Sequence, residues 1–144
     1  MRRTNPAGME LIRTFEGCEL VAYKDCVGTW TIGYGSTHCV FPGLVISRSD
    51  AAQRLMSDLI VAERAVEHSV SVPLSDNQFS SLVSFVFNLG GGALEKSTLL
   101  KKLNAGNYEE VPAELSKWCY AGGKIMEGLK KRRDAEGKLW ATPC

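Results

Sequence analysis

Residues 20–24 and 29–34 are two short runs rich in β-branched and aromatic side chains, separated by Asp25-Cys26-Val27-Gly28. Such runs around a four-residue turn that ends in glycine predict an antiparallel hairpin. Residues 38–43 are expected to complete a small sheet before a loop through Pro42-Gly43. Nearly everything else in the chain has helical spacing. A single small sheet in a helical chain limits the fold to the α+β class.

The helices can be located by their caps. Asn5 as N-cap and Pro6 at the first helical position predict a helix over residues 5–15, with Leu11, Ile12 and Phe15 on its apolar face and Gly17 as its stop. Ser47 and Asp50 form the Asp variant of a capping box and start a long helix to about residue 68. Its inner positions are expected to be Ala52, Leu55, Met56, Leu59, Ile60 and Ala62. Ser75 and Gln78 form a second box, opening an apolar helix over 76–89 that Gly90-Gly91-Gly92 ends. Shorter helices follow over 97–104, 108–118 and 127–140, with 104–106 and 121–123 as joints.

Composition removes several function classes. The net charge of +1 leaves no global field to attract nucleic acid. The basic residues Lys124, Lys130, Lys131, Arg132, Arg133 and Lys138 suit either a solvated helix face or an anionic polymer. A helix-turn-helix DNA binder is a distant alternative, because the basic run 130–133 is short. No apolar run is long enough for a stable membrane span, and Met1-Arg2-Arg3-Thr4-Asn5-Pro6 does not begin a secretory signal. The five cysteines, Cys18, Cys26, Cys39, Cys119 and Cys144, show no C-x-x-C spacing, so no metal site is expected. Their odd number leaves at least one thiol free or paired between chains. They read either as small buried thiols or as an oxidation-sensitive set.

Two carboxyls and a hydroxyl bracket the hairpin. Glu16 closes the first helix, at the negative end of its dipole, the end that favours a neutral acid. Asp25 begins the turn, and Thr31 lies in the second strand. Converging on one groove, such groups can cut a glycosidic bond: one carboxyl protonates the leaving oxygen while the other positions water on the opposite face of the sugar. Taken singly, Glu16 is also an ordinary helix-end glutamate, Asp25 a turn former and Thr31 a strand former. Trp30, Trp118 and Trp140 read as core anchors.

Three blocks together carry a resemblance. Glu16-Gly17, Tyr23-Lys24-Asp25 and Thr31-Ile32-Gly33-Tyr34-Gly35 come first. Phe87-Asn88-Leu89-Gly90 and Ser97-Thr98-Leu99-Leu100 follow, then Trp118, Gly122-Gly123-Lys124, Gly128-Leu129 and Arg132-Arg133. In this order, over nearly the whole chain, they resemble the phage-type lysozymes (endolysins). One departure is that His38 stands two places beyond the histidine that many relatives carry directly after the second glycine.

The resemblance implies a single lysozyme-like catalytic domain. A small antiparallel β-sheet lobe (about 17–46) and a larger helical lobe (about 1–16 and 69–144) would be joined by a helix over about 48–68, with a cleft between them. It implies hydrolysis of the β-1,4 bond between N-acetylmuramic acid and N-acetylglucosamine in bacterial peptidoglycan, with inversion and without a cofactor. Glu16 is the expected acid, and Asp25 with Thr31 the water holders. Arg132 is implied as the partner of Glu16. Phe87 and Asn88 fall where cleft-lining residues belong, although Phe87 also suits the core, and Thr98 caps its helix or lines the cleft. The enzyme would be made in a host cytoplasm and act as a monomer in the periplasm, at the wall. Some relatives carry an N-terminal anchor. A wall-binding module without activity and a lytic transglycosylase are the alternatives.

Overall fold

The computed structural model describes residues 2–144. Among them, seven α-helices and two two-stranded antiparallel sheets follow one another along the chain. The chain divides into two units, one of residues Ile12–Ile60 and one of the segment up to Leu11 together with Val61–Cys144.

The first unit contains the end of helix α1 (Pro6–Glu16), strands β1 (Glu19–Lys24) and β2 (Trp30–Gly33), and the first half of helix α2 (Arg48–Ser69). Gly17, at φ 69°, stops α1 and donates its N–H to the Arg13 carbonyl at 3.0 Å. β1 and β2 pair Tyr23 with Thr31 and Lys24 with Trp30, and the register shifts between Glu19 and Tyr23. The expected third sheet segment is not at 38–43, which forms turns. Residues 44–46 take its place: Ala22 N–H donates to the Leu44 carbonyl and Ile46 N–H to the Leu20 carbonyl, both at 2.9 Å. Val45 and Leu44 suit an extended edge, whereas Pro42 has no N–H to give a ladder.

Helix α2 starts on the Ser47–Asp50 box, with reciprocal bonds of 3.0 and 3.3 Å. In this unit Ala51, Leu55 and Leu59 are its buried positions, joined by Ile12 and Ile32 as buried apolar residues. Met56 is half exposed rather than inner, because it lies one position off the stripe set by residues 51, 55 and 59.

In the second unit, Asn5 caps α1 as expected, its Oδ1 accepting from Gly8 N–H at 2.9 Å. Helix α3 (Asp76–Leu89) starts on the Ser75–Gln78 box. It is buried over residues 79–86, and Ser80, Ser81 and Ser84 are inside with its apolar residues. The three glycines 90–92 do not form one break. Gly90 ends α3, and a short helix α4 (Gly91–Lys96) begins at once. Burial of Leu94 holds that helix against the low helical propensity of its glycines.

Helix α5 (Thr98–Asn104) is capped by Ser97, whose Oγ accepts from Leu100 N–H at 3.0 Å. The expected helix over 108–118 is instead a 3-10 turn, Tyr108–Glu110, followed by helix α6 (Val111–Leu115). Pro112 suits the first turn of α6 but could not continue a helix begun at residue 108. The glycine joint at 121–123 is a hairpin of β3 (Tyr120–Ala121) and β4 (Lys124–Ile125). Gly122 and Gly123 have φ 59° and 78°, the pair of positive values that a two-residue hairpin turn needs. Helix α7 (Glu127–Ala141) completes the chain. No helix among the described residues is long and apolar enough to cross a membrane.

Candidate active site

Glu16, Asp25 and Thr31 all belong to the unit Ile12–Ile60. Glu16 is the last residue of α1 and half-buried. Its carboxyl lies against the loop after β2, where Ile32 and Ser36 exchange two 2.9 Å backbone bonds and close the chain tightly on itself. That loop contains Gly35 at φ 85°, and a Cβ there would stand 3.4 Å from Glu16 Oε1. Glycine at 35 therefore answers the demand for a left-handed backbone, and a Cβ there would be in ordinary contact with the carboxyl.

Asp25 closes the β1–β2 hairpin with both backbone and side chain. Its N–H donates to the Thr29 carbonyl at 2.9 Å, and its carbonyl accepts from Gly28 N–H at 3.0 Å. Oδ1 accepts from Val27 N–H at 3.0 Å and Thr29 N–H at 2.8 Å. Asp25 is thus the turn former the sequence allowed, and its carboxylate is oriented by that turn. Oδ2 makes no hydrogen bond among the described residues, and the residue is only half-buried.

Thr31 is 4% exposed and donates its hydroxyl hydrogen to the Thr29 carbonyl at 2.9 Å. Cross-strand partners share a sheet face. With Tyr23 opposite Thr31, these two side chains share a face of the hairpin, and Asp25 follows in the turn two residues beyond Tyr23. Lys24 and Trp30 take the other, the ammonium 5.5 Å from the ring centre.

A pocket of about 420 Å³ is lined by Glu16, Gly17, Cys18, Glu19 and Tyr23. Burial, then Glu19, Asp25 and Glu16 in that order, hold the Tyr23 phenol above its ordinary pKa. The phenol is within electrostatic reach of all three carboxyls, and of the three expected catalytic residues Glu16 alone lines this pocket. In the sequence Tyr23 is marked only by its place in the Tyr23-Lys24-Asp25 motif.

Behind this site, Arg54 of α2 donates to Ser36 Oγ and the Cys39 carbonyl, each at 3.3 Å, and to the His38 carbonyl. The guanidinium ties the 36–39 loop to the helix. Asp58, one turn on, has its pKa raised by burial; a hydrogen bond with Ser36, then the charges of Arg54 and His38, act in the opposite sense. His38 itself is exposed.

The remaining candidates belong to the second unit. Phe87 is half-buried near the end of α3. Asn88 Oδ1 accepts from Arg133 at 2.9 Å, so the amide nitrogen is the group it has left for a ligand. Thr98 is exposed at the start of α5, and the cap is Ser97.

Arg132 is buried and donates to the Ser84 hydroxyl and carbonyl, each at 3.3 Å. Arg133 and Glu136 are fully buried and 2.7 Å apart, and Glu136 also accepts from Ser84 Oγ at 2.6 Å. Neither arginine belongs to a solvated helix face, unlike the exposed Lys124, Lys130, Lys131 and Lys138. Burial pushes Glu136 up, against the opposing charge of Arg133. Ser84 and Glu136 went unnoticed in sequence because a serine within an apolar helix and a glutamate on a charged one look solvent-facing.

Of the tryptophans, Trp140 is a core anchor, its indole N–H on the Tyr108 carbonyl at 3.1 Å, while Trp30 and Trp118 are half-buried. The five thiols are unpaired; only Cys119 is buried, so the buried-thiol expectation holds for it alone.

The pattern of the phage lysozyme family matches residues 13–136. An endolysin of Acyrthosiphon pisum secondary endosymbiont phage 1 is 42% identical over 139 residues, covering 94% of this chain and 95% of that protein. An endolysin of Bacillus phage B103 is 44% identical over 140 residues. That match covers 94% of this chain but 53% of the relative, so the chain spans about half its length. Among solved structures, the muramidase domain of SpmX from Asticaccaulis excentricus is similar at a TM-score of 0.93 and 35% identity, covering 99% of this chain and 100% of that one. The fold is lysozyme-like α+β, and the chain belongs to the phage lysozyme family as a glycoside hydrolase that lyses cell walls.

Proposed function

We propose that the chain hydrolyses the β-1,4 bond between N-acetylmuramic acid and N-acetylglucosamine in bacterial peptidoglycan, with inversion, during phage lysis of a host. Glu16 gives its proton to the bridging oxygen. Asp25 and Thr31 hold the attacking water on the opposite face of the sugar. The protein acts as a monomer in the periplasm after synthesis in the host cytoplasm. The name muramidase borne by the Asticaccaulis domain supports the choice of bond.

The arrangement of Asp25 and Thr31 carries this reading. Two backbone N–H groups fix Asp25 through Oδ1, which leaves Oδ2 to accept one water hydrogen. Thr31 has committed its own hydrogen to the Thr29 carbonyl, so its oxygen presents lone pairs to the second. A water that donates both hydrogens keeps a lone pair for the anomeric carbon. This supports water attack over a covalent Asp25 intermediate, the retaining route.

Digestion of purified peptidoglycan in ¹⁸O-water tests the proposal. Mass spectrometry is expected to find muropeptides with a reducing N-acetylmuramic acid carrying one ¹⁸O. Proton NMR within the first minutes is expected to show the α anomer first. An anhydro-muramic end would mean a lytic transglycosylase, and a β-anomer product would mean the retaining route.

A further inference from the structure

The pocket beside Glu16 has a wall for which the proposed chemistry gives no role. Tyr23 stands opposite Thr31 in the hairpin, two residues before Asp25. Tyr23 is 39% exposed and lines the same pocket of about 420 Å³ as Glu16 and Glu19. The polar groups on that wall are not equivalent. Ionised Glu19 only accepts hydrogen bonds, and the single proton of Glu16 is committed to the bridging oxygen. The thiol of Cys18 is a weak donor. A phenol donates strongly while it stays protonated. Burial and the charges of Glu19, Asp25 and Glu16 favour the protonated form, so Tyr23 carries its hydrogen across the whole neutral range.

We propose that Tyr23 is a substrate-binding residue whose hydroxyl donates a hydrogen bond to an acetamido or hydroxyl oxygen of the sugar lying against Glu16. This deepens the muramidase reading and rests on it. The contacted oxygen does not react, so the bond is of similar strength in ground and transition states and acts chiefly on KM.

Tyr23→Phe keeps the ring and removes the oxygen. With solubilised, uncross-linked glycan strands as substrate, KM is expected to rise roughly three- to tenfold, with kcat within about twofold of wild type and Tm unchanged. In the Glu16→Gln background, where bound strands are not turned over, adding Tyr23→Phe is expected to weaken equilibrium binding of the same strands by the same factor. An ordinary structural role would not move that titration at constant Tm. Wild-type KM and unchanged binding would overturn the assignment of Tyr23 alone, provided Glu16→Gln is inactive. A fall in kcat at constant KM would overturn it as well. Wild-type cleavage by Glu16→Gln would instead remove the acid, and the Tyr23 proposal with it.

Discussion

Charge is held in two opposite ways in the two units. In Ile12–Ile60, Glu16 and Asp25 are half-buried and Glu19 is exposed. Asp25 is oriented by two N–H groups of its own turn, and Glu16 ends a helix beside Gly35. In the other unit, Arg133 and Glu136 have no exposure and hold each other, with Ser84 and Asn88 taking further bonds and the Phe85 ring centre 5.2 Å from the guanidinium. A half-exposed carboxyl can exchange protons with solvent and reach a ligand. A fully buried ion pair can do neither, and losing one partner strands the other charge. The first arrangement suits chemistry and the second suits architecture, although both use ordinary Glu, Asp and Arg.

The largest effect is expected at Asp25. Asparagine keeps an Oδ1 acceptor for Val27 and Thr29, so Asp25→Asn should change folding stability by less than about 1 kcal/mol. Wall lysis should fall by about 10²–10⁴-fold, because the carboxylate that polarises water is gone. Turbidity clearing and urea denaturation on one sample separate the two quantities. A large loss of stability would mean that Asp25 is held as Glu136 is, and the contrast would fail.

Glu136→Gln probes the other side. It leaves Arg133 buried without a counter-charge and should cost about 3–5 kcal/mol, seen as a lower urea midpoint at unchanged slope. Replacing Arg133 with Met and Glu136 with Leu together should recover most of that loss, since an apolar pair of similar volume needs no hydration. A cost below about 1 kcal/mol for Glu136→Gln would show that the pair is not structural.

The same contrast explains what could be read before the structure was known. Elements marked by short-range chemistry were legible: the Asn5 cap, the Ser47–Asp50 and Ser75–Gln78 boxes and the hairpin around Asp25 all form as their residues demand. The family blocks marked Glu16, Asp25 and Thr31, and geometry adds Tyr23 and Gly35 to that neighbourhood. Features that depend on tertiary contact were not legible. Leu94 turns a glycine-rich break into a helix only because it is buried. Glu136 reads as a surface residue until Ser84 meets it from α3. Residues 44–46, not 38–43, reach β1 because the turns at 38–43 precede the extended edge.

Gly35→Ala sharpens the comparison within the first unit. Holding a Cβ at φ 85° should cost about 1–2 kcal/mol. The added carbon would stand in ordinary contact with Glu16 Oε1, so lysis well below Tm should stay close to the wild-type rate. Differential scanning calorimetry with that lysis rate resolves the two. A rate loss beyond the loss of folded protein would mean that Gly35 also makes room for the carboxyl.

The smallest effect is expected at Glu114. Hydrogen bonds from Lys117 and then Lys102 hold its carboxyl below the usual range. Its contribution should be complete above the ordinary glutamate pKa and fade as pH falls through the lowered value, because the unfolded chain takes up the proton first. Glu114→Gln should flatten the acid limb of the stability–pH curve in that window and leave stability at pH 7 only slightly lower. An unchanged acid limb would show that the contacts with Lys117 and Lys102 add nothing in water.

The most direct test of the account is Glu16→Gln, assayed for wall lysis and for Tm in one preparation. A drop in rate of at least about 10²-fold with a wild-type Tm is the expected result, since glutamine fills the same space beside Gly35 but has no acidic proton to give. Lysis at the wild-type rate by the folded variant would contradict it, and the proton would have to come from another group.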